Sequence, residues 1–310
     1  MTLSQRLQEI VSHGPAELSV TVRHIERKEH VAVLGDRVMP TASVFKIPVM
    51  VELCRRVATG EISLDERWTL MEEAKTAGSG VLARLQPGLM LTVRDLLTLM
   101  IVISDNTATD MLVRRLEPAR ITATMRTLGL TATTVLRTIG ESFATGLSGA
   151  PPTLAPYELA RFLRENPPPP ESDEYLESDA IASSTTDEMT ELLSAIHTGI
   201  RMDALGIDAS ARAIMRRTLL EQQLNERLPR FLAPPIPVAH KTGSLMGTFQ
   251  VRNDAGLIDM GERGTVAVAV FTRTQTPLGA TPEDTARFQV AIDFEIAEIG
   301  RAVYEHYQTN

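Results

Sequence analysis

Ser43 and Lys46 stand three residues apart at the head of an apolar run, PTASVFKIPVMVELCRRVATG. On a helix that spacing places both side chains on one face, so it predicts that the Lys46 amine reaches the Ser43 hydroxyl. An aliphatic alcohol is a poor nucleophile until a neighbouring base takes its proton. A serine near a helix N-terminus also sits where partial positive charge favours a developing anion. The pair therefore has the makings of a nucleophile and its base. Taken alone it is a pattern expected about once by chance, with Ser and Lys each near ~6–7% of residues. The plain alternative is a serine and a lysine on a solvated helix face.

Other elements must position this pair. Residues 3–13 read as a surface helix closed by Gly14-Pro15. ELSVTVRHIE (17–26) alternates as a half-buried strand does, and Arg27-Lys28-Glu29 turns it into a second strand, HVAVLG. Pro48 is awkward in the helix that follows, because it cannot donate to Val44 and crowds it. The first turn of that helix is therefore expected to be distorted. Thr92 is a natural N-cap for the apolar helix DLLTLMIVI, which ends at Ser104-Asp105-Asn106, where NTATDMLVRRL begins another. Residues 138–185 are the least regular, with a helix predicted over PYELARFLREN and an extended, proline- and acid-rich stretch, PPPPESDEYLESDA. Helices resume at 184–199 and 208–224. The end holds a short strand around VAHKTGS, the alternating FQVRNDAGLIDM, the apolar GTVAVAVFTR and a helix over about 284–307. Two strands from the start and three from the end most simply make one antiparallel sheet flanked by the terminal helices. The expected division is an α/β sheet domain from 1–60 and 206–310, with 61–205 as an inserted all-helical domain. The seam between them would hold the site.

Composition narrows the chemistry. The chain has 310 residues, 43% apolar and 23% charged, as in an ordinary globular protein. Its net charge of −8 gives no reason to expect nucleic acid or an anionic membrane as a partner. No apolar run approaches the ~20 residues that span a bilayer. The N-terminus, MTLSQRLQEIVSHG, is amphipathic rather than a leader, so the expected compartment is the cytoplasm, or the periplasm or exterior if a signal has been removed. Cys54 is the single cysteine and reads as a small buried hydrophobe. Six histidines show neither H-x-x-x-H nor cysteine pairing, so neither a metal nor another cofactor is expected. A monomer acting on a small molecule is the expectation.

Three motifs stand in order: Ser43-Val44-Phe45-Lys46, Ser104-Asp105-Asn106 and Lys241-Thr242-Gly243. With their flanks, GSGVLARLQPGLMLTVRDLLTLMIVISDNTATDMLVRRL and HKTGSLMGTFQVRNDAGLID, they resemble class A β-lactamases and penicillin-binding proteins over about 17–305. The resemblance implies a β-lactamase/transpeptidase-like fold and a serine hydrolase of cyclic amides. Ser43 would attack the amide carbonyl and become acylated. Lys46 must be neutral for part of the cycle. At an assumed ~5 Å and an effective dielectric of ~20, the ammonium of Lys241 would oppose its charge by about 3 kcal/mol, or about two pKa units. Ser104 would relay a proton to the leaving nitrogen, and Asn106 would hold Lys46 and the substrate amide. Strand residues Lys241, Thr242, Gly243 and Ser244 would pair with the substrate backbone, with the amides of Ser43 and Ser244 as oxyanion hole. Arg252, with Thr242 and Ser244, would hold a substrate carboxylate, the alternative being a sheet-edge cation. Asp105 shapes its turn rather than reacting, and His240 packs or hydrogen-bonds rather than acting as an acid or base.

The chain departs from the lactamase pattern at one place. Class A enzymes release the acyl group with water activated by a loop glutamate, usually in E-x-x-L-N. The matching span here is LRTIGESFATGLSGA, where Glu141 is followed by Ser-Phe-Ala-Thr. Counting back from STTDEM points instead to Glu171. Glu141 is the candidate deacylating base, a solvated loop acid being the plain alternative. A general base supplies ~10²–10⁴-fold, so its loss would leave a slow enzyme or a trap. Two alternatives to a β-lactamase follow: a D,D-peptidase-like hydrolase or esterase without that glutamate, and a penicillin sensor that stays acylated.

Overall fold

The computed structural model describes residues 1–146, 158, 162, 182–233, 236–245, 249–275 and 281–309. The predicted helix over PYELARFLREN, the proline-rich stretch and Glu171 lie outside the described residues, apart from Glu158 and Phe162.

Five antiparallel strands form the main sheet, and their order follows from the two ends of the chain. They are β1 (Glu17–His24), β2 (Glu29–Val33), β8 (Val238–Leu245), β9 (Phe249–Asp259) and β10 (Thr265–Gln275), in the order β2-β1-β10-β9-β8. Central β10 shows why alternation matters. Its Val266, Val268 and Val270 face one way, joining Val20 and Val22 of β1 and the helices α1 (Leu3–His13) and α9 (Pro282–Thr309). Its Ala267, Ala269 and Phe271 face the other way, joining Ala255 and Leu257 of β9. Successive strand residues point to opposite faces, so a single run serves two cores.

The second core lies between that inner face and helices from the middle of the chain. These are α2 (Lys46–Ala58), α3 (Val93–Val102), α4 (Asn106–Leu116), α5 (Pro118–Thr127), α7 (Thr186–Thr198) and α8 (Ala209–Leu220). Thr92 caps α3, its hydroxyl accepting from Asp95 N while Asp95 reaches back to Thr92 N. Leu96, Leu97, Met100 and Ile101 of α3 and Met50, Leu53 and Cys54 of α2 are fully buried. Truncating one of the buried leucines to alanine costs about 2–5 kcal/mol. Among the described residues no helix is long and apolar enough to cross a membrane.

Three features go beyond the sequence reading. The distortion expected at Pro48 is a separate 3₁₀ turn, Ala42–Phe45, after which α2 starts cleanly. Pro48 then lies in the first turn of α2, where backbone N–H groups have no intrahelical partner to lose. Two small sheets form, one of β3 (Met39–Pro40), β7 (Ala182–Ser184) and β6 (Thr134–Val135), the other of β4 (Arg67–Thr69) and β5 (Met90–Thr92). Within the span read as irregular, Ile139–Gly146 is a helix, α6. Thr138 and Glu141 start it by exchanging backbone-to-side-chain bonds of 2.8 and 3.1 Å.

Candidate active site

The 3₁₀ turn carries Ser43, half-buried, and the first residue of α2 is Lys46, fully buried. Ala42 just before Ser43 has φ 43°, a left-handed conformation that a non-glycine residue holds only when its surroundings impose it. The three hydrogen bonds of Lys46 Nζ run to the SDN loop: Ser104 O at 2.8 Å, Ser104 Oγ at 3.0 Å and Asn106 Oδ1 at 3.0 Å. These three acceptors use all the donors of an ammonium. Burial lowers the pKa of Lys46 to about 7, against the upward pull of the Asp105 and Asp110 carboxylates. Burial is thus the first cause of its depression, the ammonium of Lys241 being only a helper in the expectation from sequence.

Ser104 joins α3 to α4 with φ 59°, a second left-handed non-glycine residue. That conformation aims both its carbonyl and its hydroxyl at Lys46. Asp105 is a structural anchor: Oδ1 caps α4 through Ala108 N at 2.9 Å, and Oδ2 accepts from Val81 N at 2.6 Å and Leu82 N at 2.9 Å. Asn106 donates through Nδ2 to Ala77 O at 2.9 Å, which turns its Oδ1 toward Lys46. The loop Gly78-Ser79-Gly80 closes over these residues. A Cβ on Gly80 would lie 2.2 Å from Asp105 Oδ2, so only glycine permits this approach. Asp110, also buried, accepts from Thr76 Oγ1 at 2.8 Å, Ile139 N at 2.9 Å and Gly140 N at 2.8 Å. It ties the start of α6 to the wall of the site. Burial raises its carboxyl, against these bonds.

From the sheet, Lys241 Nζ donates to Ser104 Oγ at 3.1 Å and to Thr242 O at 2.7 Å. Burial first, and then the charge of Lys46, hold its pKa well below the ordinary lysine value. Ser104 Oγ thus accepts from both amines, which leaves its own proton to be given elsewhere. Gly243 lets β8 approach the turn that carries Ser43: a Cβ there would sit 2.6 Å from Thr41 O and 3.1 Å from Ser43 N. Thr242 is buried, whereas Ser244 is exposed.

Arg252 lies opposite Ser244 in the β8–β9 register, as the sequence suggested, but its guanidinium is paired with Asp293 of α9. The residue that sequence reasoning missed is Arg227. Its buried guanidinium donates to Gly243 O at 2.7 Å, Asn253 O at 2.6 Å, Ser244 Oγ at 2.5 Å and Asp293 Oδ1 at 2.8 Å. One carboxylate thus holds two arginines, and one of these braces the strand from behind. His240 is a buried hydrogen-bonding residue, with Nδ1 2.9 Å from Asp254 Oδ1 and Nε2 3.0 Å from Asn225 Oδ1. Cys54 is buried, and burial pushes its thiol up to about 12. Glu141 is exposed and caps α6 through Thr138 N. Among the described residues no group of three His, Cys, Asp or Glu is placed to hold a metal ion.

A serine on a helix-opening turn, two buried amines sharing one serine hydroxyl and an adjoining sheet strand fit a serine acyl-transfer hydrolase. The chain belongs to the beta-lactamase enzyme family, whose model matches residues 2–307, and it is a serine hydrolase of β-lactamase type. A solved β-lactamase from Sphaerobacter thermophilus is 26% identical, with a TM-score of 0.74 covering 99% of this chain and 97% of that one. An ancestral class A β-lactamase is 25% identical at a TM-score of 0.76, covering 98% and 99%. The β-lactamase regulatory protein BlaB of Streptomyces cacaoi is 27% identical over 297 residues, which cover 91% of this chain and 92% of that protein. The fold is also that of PBP-A, at 22% identity and a TM-score of 0.75 over 99% and 96% of the two chains.

Proposed function

We propose that the protein opens β-lactams, or related amides, through an acyl-enzyme on Ser43. The observation that carries this reading is the convergence of Lys46 and Lys241 on Ser104 Oγ, at 3.0 and 3.1 Å. Uncharged Lys46 accepts the Ser43 proton as Oγ bonds to the carbonyl carbon. The carbonyl electrons move to oxygen, facing the amides of Ser43 and Ser244. When the tetrahedral intermediate collapses, the C–N bond breaks. The nitrogen takes the Ser104 proton, and Ser104 is resupplied from the Lys46 ammonium. Lys241 stabilises the serine oxygen during this exchange and offers positive charge to an anionic substrate. Asn106 holds Lys46 on one side and the substrate amide on the other. Thr242, Ser244 and Arg252 receive the substrate carboxylate, with Arg227 fixing Ser244 in place. The reactive seam divides a sheet domain of residues 1–60 and 206–310 from a helical domain of 61–205.

Release of the acyl group is assigned to water activated near the start of α6, with Glu141 as the base. A second reading is a protein that stays acylated. It is favoured by the engagement of Glu141 in its helix cap and by likeness to a protein named as a regulator. One experiment separates the two: nitrocefin turnover and fluorescent-penicillin labelling of the native protein and of Glu141→Gln. Turnover by the native protein with stable labelling only in Glu141→Gln supports hydrolysis through Glu141. Stable labelling of both, without turnover, supports the acylated trap. Equal turnover by both removes Glu141 from the chemistry.

A further inference from the structure

Each acceptor of Lys46 has a second donor: Lys241 Nζ on Ser104 Oγ, and Ser79 on the other two. Ser79 Oγ donates to Ser104 O at 2.6 Å and lies 3.1 Å from Asn106 Oδ1. Ser79 is an exposed residue with its hydroxyl turned inward, set by left-handed glycines on both sides, Gly78 at φ 104° and Gly80 at φ 101°. Its own carbonyl accepts from Asn106 N at 2.9 Å, so the loop grips the motif at three points.

The count of protons gives this contact a purpose. As an ammonium, Lys46 has three N–H groups for three acceptors. As an amine it has two, and its lone pair must be free to take the Ser43 proton. Lys241 still covers Ser104 Oγ, so while Lys46 stays bonded to that hydroxyl the acceptor that loses its donor is Ser104 O or Asn106 Oδ1, and leaving a buried acceptor bare costs about 1–3 kcal/mol. The Ser79 proton can remain on Ser104 O or move to Asn106 Oδ1, so neither is left bare. We propose that Ser79 is a positioning residue that keeps the acceptors of Lys46 satisfied when its proton leaves, and so favours the uncharged amine. The other groups acting on Lys46 are the Asp105 and Asp110 carboxyls on the side of α4, and Lys241 through Ser104 Oγ. None of them can replace a hydrogen bond to the Ser104 carbonyl. This inference rests on the reading of Lys46 as the base, and it adds the group that sets when Lys46 can act.

The test uses threonine and valine, which have the same shape but differ in the hydroxyl. The chain contains only four lysines, at positions 28, 46, 75 and 241, so ε-¹³C-lysine labelling gives four resolvable signals to follow by NMR against pH. Ser79→Val should move the Lys46 titration upward by about one pH unit, from the lower end of that penalty. The acid limb of the acylation rate, read with nitrocefin or a fluorescent penicillin, should move with it. Ser79→Thr should titrate as the native protein does. Ser79→Ala should shift by less, because the vacated space admits a water. An unchanged Lys46 titration in Ser79→Val, whatever its rate, would overturn the inference and leave Ser79 a loop residue only. A shifted titration in a protein that no β-lactam acylates would uphold Ser79 and sink the reading of the substrate instead.

Discussion

Glu295 on α9 makes a prediction that can be worked from its surroundings. It is 7% exposed, and among the described residues neither carboxyl oxygen has a hydrogen-bond partner. The group presses against Gly14, where a Cβ would stand 1.7 Å from Oε1. Burial pushes its carboxyl up from 4.5 to about 7. The folded protein therefore holds this proton more tightly than the unfolded chain does. Below pH ~4.5 both states are protonated and the group is neutral to stability. Between pH 4.5 and 7 the unfolded chain gives up its proton first, and stability falls; above pH 7 the full penalty stands. At 1.36 kcal/mol per pKa unit that penalty is about 3 kcal/mol. Glu295→Gln removes the titration and keeps the shape. In urea denaturation, its stability relative to the native protein should rise by about 3 kcal/mol between pH 4 and pH 8. A difference that stays constant across that range would refute the placement of a buried, unpaired carboxyl at this position.

Further outcomes follow from the site. With Lys46 as the proposed base and its pKa lowered to about 7, the acylation rate should rise about tenfold per unit up to pH 7 and then level. Stopped-flow labelling from pH 5 to 9 measures this directly, and a flat profile would rule out Lys46 as the base. Arg227→Gln should cost about 3–5 kcal/mol in denaturant unfolding, since it strips a buried pair with Asp293 and leaves the carbonyls of Gly243 and Asn253 without this donor. Arg252→Gln, whose pair with Asp293 is more open to water, should cost less.

The sheet and the three motifs were legible because each depends on local pattern. The continuous apolar run GTVAVAVFTR reads as a buried strand, and in the structure its valines join the α9 core and its alanines the helical core. Thr92 and Asp95 announce α3 within four residues. What escaped depends on contacts made across the fold. Nothing in LNERLPRF distinguishes Arg227, whose bonds reach Gly243, Asn253 and Asp293 across the sheet. Ser79 has only its flanking glycines as a signal, and its partners follow 25 and 27 residues later. The expected bond from Lys46 to Ser43 rested on spacing along a helix. The backbone changes from 3₁₀ to α between the two residues, and Lys46 turns its donors to the SDN loop. Helix α6 did carry a local signal, Thr138 and Glu141 three residues apart, while the bonds of Asp110 that also hold its start come from some thirty residues earlier in the chain.

The central claim is that Ser43 is the nucleophile, and intact-protein mass spectrometry after incubation with benzylpenicillin tests it most directly. The native protein should gain the mass of one opened penicillin, mapped by peptide digestion to Ser43, at least transiently on rapid quenching. Ser43→Ala should gain none. An adduct on any other residue, or equal labelling of Ser43→Ala, would contradict the account.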